Sequence, residues 1–554
     1  MKKSLTFFLL ITILFYSCNS DDDITIVEEE SSNNQIEELD NLLLEIQEEL
    51  PKFVENAGKI SSKLTRLDYM YAGHFYENIY LNSFNSSNHF SENVWNIAYQ
   101  SMLPTMAEAQ EIAEELGFNK HLGVVKVIRA YTLITLVNLY GDVPYSEISN
   151  PNPHVDSGAS IYASALTMLD EAITAFNESG TNLENDIYYN NNFSKWIKLA
   201  NTLKLETYIN TRLIDGSAMK NFQAILNSGN YITNSSDDFV FRYGVNSTIL
   251  STHPAYENDY QPQGVASYRS NWLMNELLNK NDPRRRYYFY RQNNCTPGGL
   301  GLNEEICEVD PMRLFCSEDS AYPHYIEGMA FCWVNSGYWG RDHGFSDGIP
   351  PDTFQRTAIG VYPAAGTFDD NDFLSVTENL GGLGVGITPI MLASWVDFMQ
   401  AEMALANKNT GVAENFMQAG MLKSVDKVMS FVSLDPEVDT SFIPTGIDVS
   451  SFINLISNEY NDTGGVNNKW NVFAKQVLVS HYGNGIGAYN FYRRTGYPFD
   501  MQYHVNPNAG PFVRSLFYPD VALEGNTNME QKPNAEVQVF WDNNNSYPAF
   551  PYSN

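Results

Sequence analysis

The sequence predicts a mainly α-helical protein, built of tetratricopeptide-like helix pairs with a loop-rich remainder, and three observations carry that expectation. Apolar residues recur every three or four positions over long stretches near both ends of the chain, the spacing that gives a helix one apolar face. Between about residues 229 and 387 that period gives way to Gly, Pro, Asn and aromatic residues, so long loops with a few short strands or helices are expected there. Consecutive helices pack most simply as antiparallel pairs, although no full repeat signature is legible.

The first helix follows from Ile36, Leu39, Leu43, Ile46, Leu50 and Phe53, which fall on one face. Further helices are expected near 91–116, 121–140, 159–178, 193–214 and 217–228. The helix over 121–140 places Leu122, Val125, Ile128, Thr132, Leu136 and Leu139 together and stops at Gly141 and Pro144. Its apolar stretch from Tyr131 to Tyr140 is too short to cross a bilayer, which takes about 20 residues, and Arg129 would be costly there. A packed core helix is therefore expected, with Trp95, Trp196 and Trp395 as core residues of their own helices. After the loops, Thr388 and Pro389 make an N-cap and first-turn pair, and helices are expected near 389–407, 411–432 and 468–482. The scaffold thus occupies 35–228 and 388–495, a ligand-facing insertion 229–387, and a loop-rich stretch 496–554. Irregular loops on a rigid scaffold are a common way to build a binding face.

Ahead of this domain, Lys2 and Lys3 precede an apolar run from Leu5 to Phe15 that ends at Cys18. Such a run is too short for a membrane span and has the form of a secretory signal, 1–17, cut by the lipoprotein route to leave Cys18 as the lipid anchor. The segment 18–34 opens with Asn19, Ser20 and Asp21 to Asp23, and no Lys or Arg occurs from there until Lys52. It is expected to be a solvated acidic tether.

The net charge of −33 argues against nucleic acid or anionic lipid headgroups as partners. With 34 Tyr, 32 Phe and 8 Trp against 18% charged residues, the surface suits sugars or peptides. Trp333, Tyr338 and Trp339 in the central segment are the candidate ligand platform. Cys295, Cys307, Cys316 and Cys332 crowd the same region; their even number fits two disulfides in an oxidising compartment, with three pairings open. No cofactor is required. The acidic turn of Asp369, Asp370 and Asp372 has the hard oxygen ligands that suit calcium but lacks the EF-hand spacing.

Signatures of enzymes are missing: there is no Gly-x-Ser-x-Gly elbow, no His-Glu-x-x-His pair and no phosphate-binding P-loop. Asp342 and His343 are adjacent, which does not by itself make a catalytic couple. A non-enzymatic protein is expected; the alternative is a lipid-anchored surface hydrolase acting on polysaccharide, since two carboxylates in a cleft suffice for that chemistry.

Several ordered blocks resemble the SusD/RagB family of outer-membrane nutrient-binding lipoproteins. These are VIRAYTLITLVNLYGDVPY from Val127 to Tyr145, KWIKLANTLKLETYINTR from Lys195 to Arg212 and NDPRR from Asn281 to Arg285. They continue with GRDHG, PPD and GVYPAAGTFDD between Gly340 and Asp370, SWVDFMQAEMAL from Ser394 to Leu405, YNFYRRTGYP over 489–498 and VRSLFYPDVALEGN over 513–526. Cys-Asn-Ser-Asp-Asp-Asp from Cys18 also resembles a Bacteroidetes-type signal for export to the outer face. The resemblance implies a SusD-like fold on tetratricopeptide-like helix pairs. It also implies a lipid-anchored outer-membrane position facing the cell exterior, an oligosaccharide or peptide ligand, and a SusC-type TonB-dependent β-barrel as partner in uptake.

Overall fold

The computed structural model describes residues 21–70, 90–148, 150–244, 252–296, 333–345, 352–504 and 510–544. The helix predicted from Ile36 is α1, Asp21–Leu64. Its backbone is already helical over most of the segment expected to be a solvated tether, while its core residues begin at Leu39. Pro51 lies inside α1 and so leaves the carbonyl of Gln47 without its helical donor. The Tyr188 hydroxyl supplies one at 3.1 Å.

The single helix expected over 91–116 is α2 (Phe90–Asn96), a π-helical turn over Ile97–Met102, and α3 (Leu103–Leu116). Pro104 follows the wide turn at the start of α3, where its missing N–H and its ring favour a break in the regular ladder. Gly117, with φ of 69°, ends α3 in the left-handed conformation that favours glycine. Next come α4 (Asn119–Tyr140), the strands β1 (Val143–Pro144) and β2 (Val155–Asp156), α5 (Gly158–Asn177), α6 (Phe193–Thr211) and α7 (Ala218–Ser228). Each of α4 to α7 packs on the next. By length and composition α4 could cross a membrane, yet 83% of its most apolar window is buried inside the protein, as a core helix requires. Trp95, Trp196 and Trp395 are all buried.

The central segment is irregular, as expected. It holds β3 (Phe239–Arg242), α8 (Pro254–Asp259), β4 (Arg269–Ser270), α9 (Asn271–Asn279), α10 (Arg285–Tyr288), β5 (Phe289–Tyr290), β6 (Trp333–Val334), β7 (Tyr338–Arg341) and β8 (Ala358–Ile359). The strands make small sheets: β4 and β6 flank β7, and β5 pairs with β8.

Thr388 and Pro389 do not start a helix. They lie in β9 (Ile387–Met391), which pairs antiparallel with β3. The helix α11 (Ala393–Ala406) starts after it, and its first N–H donates to Asp238 Oδ1 at 2.8 Å. A cap supplied from far along the chain leaves no local signal. The remaining helices are α12 (Thr410–Met429), α13 (Gly446–Asp462), α14 (Val466–Ser480), α15 (Ile486–Thr495) and α16 (Asp520–Leu523).

The sequence blocks meet in buried polar clusters. Glu402 of α11 accepts two bonds from Arg494 of α15, at 2.8 and 2.7 Å, and one from Arg212 beyond α6 at 3.1 Å. Arg284 is fully buried against Asp282, at 2.9 and 2.6 Å, and reaches Ser424 of α12 and Gln476 of α14, each at 3.1 Å. Arg493 donates to the carbonyls of Asn138 and Arg514. Removing one partner from such a buried pair costs about 3–5 kcal/mol, because a charge is left without compensation.

Beside the first cluster, Glu206, Glu402, His481, Asn490 and Arg494 help line a cavity of about 30 Å³. Burial pushes the Glu206 carboxyl up to about 7, against the pull of Arg494 and of the neighbouring Asn490 side chain. An unfolded chain loses that proton near 4.5, so between pH 4.5 and 7 the folded state holds more protons than the unfolded one and stability falls as pH rises. Replacing Glu206 by Gln is expected to remove this loss, at most about 3 kcal/mol at pH 8. Denaturant melts of both proteins from pH 4 to 8 check it: the stability difference should grow with pH, and a constant difference contradicts the assignment.

A candidate ligand-binding cleft against the first helix

The middle of α1 forms one wall of a cleft of about 720 Å³, within the range of roughly 300–1,000 Å³ in which small ligands are held. Glu48, Lys52, Glu55, Asn56 and Lys59 line it at the three- and four-residue spacing that puts them on one helix face. Asn93 and Asn96 of α2 and Ile97, where the π turn begins, form a second wall. The remainder comes from Phe241 and Tyr243 on and after β3 and from Thr252, Pro254 and Glu257 around α8.

Pairing with β9 fixes β3, and beyond it the Tyr243 N–H donates to Gly386 O at 3.0 Å. The Tyr243 hydroxyl lies 2.8 Å from Thr388 Oγ1, and that hydroxyl donates to Glu55 Oε1 at 2.7 Å. Thr388 therefore links the central strands to α1. His253 caps α8 through Nδ1, which accepts from Ala255 N at 3.1 Å. Its ring stands against Tyr243 with centroids 5.0 Å apart. Burial, helped by the positive charge of Lys59, lowers the His253 pKa to about 3, so the imidazole is neutral. Burial raises the Glu55 carboxyl, with Thr388 and Lys59 pulling the other way. On the α2 side Asn93 donates to Asn56 at 3.2 Å, and Gln100 donates to Asn96 at 3.0 Å. The cleft thus offers amides, carboxylates and ammonium groups beside two aromatic side chains, a set suited to holding a polar oligomer.

The residues singled out from sequence fall elsewhere. Tyr338 and Trp339 lie in β7 at 1% and 3% exposure, so they are core side chains and not an open platform. Arg291 stands 4.9 Å from the Tyr338 ring, and the Trp339 indole donates to Cys295 O at 2.8 Å. Trp333 lies in β6, paired in register with Trp339. Aromatic composition marks core and binding face alike, which is why it misled here. Cys295 is disulfide-bonded to a residue outside the described ones. Cys18, Cys307, Cys316 and Cys332 also lie outside them.

The acidic turn is not arranged around a common point. Asp369 is buried and engaged by Arg291 at 2.6 and 2.8 Å, Asp370 accepts from the Asp439 N–H, and Asp372 accepts from the Tyr290 hydroxyl. Arg286 approaches Asp369 to 3.8 Å as well. Guanidinium groups at the carboxylate oppose a divalent cation, and among the described residues no group of three His, Cys, Asp or Glu is placed to hold a metal. Asp342 is likewise structural: it accepts from Asn271 and Gln502, each at 3.0 Å.

Two family models match the chain. One, described as starch-binding and associating with the outer membrane, covers residues 33–313, and the other, described as SusD and RagB outer-membrane lipoprotein, covers 386–543. No match is found among curated proteins. Similar solved structures include a chitin-binding protein, at 18% identity and a TM-score of 0.60, covering 89% of this chain and 100% of that one. A SusD homologue from Bacteroides fragilis has 16% identity and a TM-score of 0.62, with 91% and 99% covered. A SusD/RagB family protein from Bacteroides thetaiotaomicron has 16% identity and a TM-score of 0.59, with 89% and 99% covered. At these identities the likeness establishes the fold.

Because Tyr338 and Trp339 are core residues, replacing either by Ala is expected to cost about 3–5 kcal/mol. Urea denaturation checks it; a loss under 1 kcal/mol would return these rings to the surface.

Proposed function

Because the chain belongs to the SusD-like family of outer-membrane lipoproteins, we propose that it captures an oligomeric nutrient, glycan or peptide, at the cell surface and delivers it to a SusC-like TonB-dependent β-barrel. The observation that carries this reading is a ligand-sized polar cleft set on the helical scaffold that the two family matches take in. The glycan arm draws support from the starch-binding description of one family model and from the chitin-binding name of one structural relative.

In this reading Cys18 carries the lipid, and the acidic residues behind it turn the domain outward. Tethering beside a pore raises the local concentration of captured ligand, so transfer needs no release into bulk solution. The role is binding without turnover.

The soluble domain without its lipid, titrated against an array of glucan, chitin-type and peptide oligomers, should bind at least one class. Asn96→Trp places an indole in the cleft and is expected to weaken that binding at least about tenfold with an unchanged melting temperature. Unchanged affinity would remove the cleft from the reading. Capture of a large β-barrel by the lipidated protein after cross-linking in outer membranes is the expected result for the delivery step, and capture of the protein alone would contradict it.

A further inference from the structure

The cavity of about 30 Å³ beside the Glu402 cluster lies inside the helical scaffold, apart from the ligand cleft, with walls from α6, α11, α14 and α15. Asn490 of α15 borders it and is 1% exposed. Its Oδ1 accepts from Arg493 at 2.8 Å, and because a guanidinium only donates, the amide has one orientation. The Nδ2 on the other side is buried and has no hydrogen-bond partner. That nitrogen carries two N–H groups, so even with one turned toward the neighbouring Glu206 carboxyl the other lacks an acceptor. Buried N–H groups of this kind are satisfied by ordered water where no protein atom serves.

A lone pair faces the same space. His481 follows α14 and lies flat on Trp395 with ring centroids 4.3 Å apart, and its Nδ1 donates to the Val477 carbonyl at 2.8 Å. Burial lowers the His481 pKa to about 4, so the ring is neutral and Nε2 is an acceptor. Among the described residues no donor reaches it. On α15, a Cβ at Gly487 would collide with this nitrogen. Glycine weakens a helix interior, and here it keeps Nε2 clear at the cavity wall.

The lining decides the occupant. Glu206, Glu402 and the Nε2 lone pair oppose an anion, while the Asn490 N–H and the Arg494 guanidinium oppose a cation. Water accepts from the one set and donates to the other. A water molecule takes about 10–15 Å³ of such space, which leaves room for two.

We propose that the cavity is a binding site for two ordered water molecules, which accept from Asn490 Nδ2 and donate to His481 Nε2 and the Glu206 carboxyl. They join α6, α14 and α15 beside the Glu402 cluster. The site is independent of the nutrient-binding reading.

A crystal structure refined at a resolution that shows ordered water tests it. The expected result is two peaks in the cavity, one about 2.7–3.2 Å from Asn490 Nδ2 and one at that distance from His481 Nε2. An empty cavity would overturn the proposal, as would an anomalous peak there after a bromide or rubidium soak. Thermal melts give a second test in solution. Val477→Ile adds a methylene group to the wall, displaces water and should lower the unfolding temperature by about 2 °C. In a His481→Phe background, where no lone pair is left to strand, the same change should cost less than half as much. Equal losses in both backgrounds would mean overpacking alone and overturn the proposal. A rise in the unfolding temperature, as filling a dry void gives, would overturn it too.

Discussion

The arrangement of this protein depends on a buried carboxylate shared by two guanidinium groups. Glu402 holds Arg494 through both oxygens and Arg212 through one, and all three side chains are nearly excluded from water. Stranding any of these charges costs about 3–5 kcal/mol, so α6, α11 and α15 have one mutual placement that satisfies them. The two arginines hold the Glu402 carboxyl below its usual range despite burial, which keeps the cluster ionised. Glu206 beside it, with weaker compensation, is pushed the other way.

From that cluster the constraint passes to the cleft through close backbone approaches. α15 packs on α1, and at Gly485 a side chain would meet the backbone of Ser62 at 2.4 Å, so only glycine admits the contact. The neighbouring Asn484 donates to Pro389 O at 2.9 Å, tying α15 to β9, which pairs with β3 and presents Thr388 to Glu55. Tyr188 stabilises α1 where Pro51 interrupts it, on the stretch that lines the cleft. The irregular insertion is thus pinned to the scaffold at the points where it forms the cleft wall.

Much of this was legible in the sequence. The period of three and four located α4 to α7 closely, because those helices bury continuous apolar faces, and it found the core-facing part of α1 but neither its start nor the π-helical break between α2 and α3. α13 was missed, although Thr445 and Asp448 form a capping box and Val449, Phe452, Ile456 and Tyr460 keep a helical period. It falls in a polar stretch where those cues are sparse. Thr388 and Pro389 misled because a Thr-Pro pair suits a strand entering the core as well as a helix start, and only the partner strand decides. The cleft was not legible at all. Its walls come from residues 48–59, 93–97 and 241–257, and nothing local announces that these meet. Tyr338 and Trp339 were conspicuous by composition, yet they serve the core.

The central claim is that a rigid helical scaffold presents its ligand site between α1, α2 and α8. Hydrogen–deuterium exchange with and without a saturating oligosaccharide addresses it most directly. Added protection concentrated in 48–59, 93–97, 241–243 and 252–257 is the expected result. Protection confined to 333–345, with these segments unchanged, would contradict it.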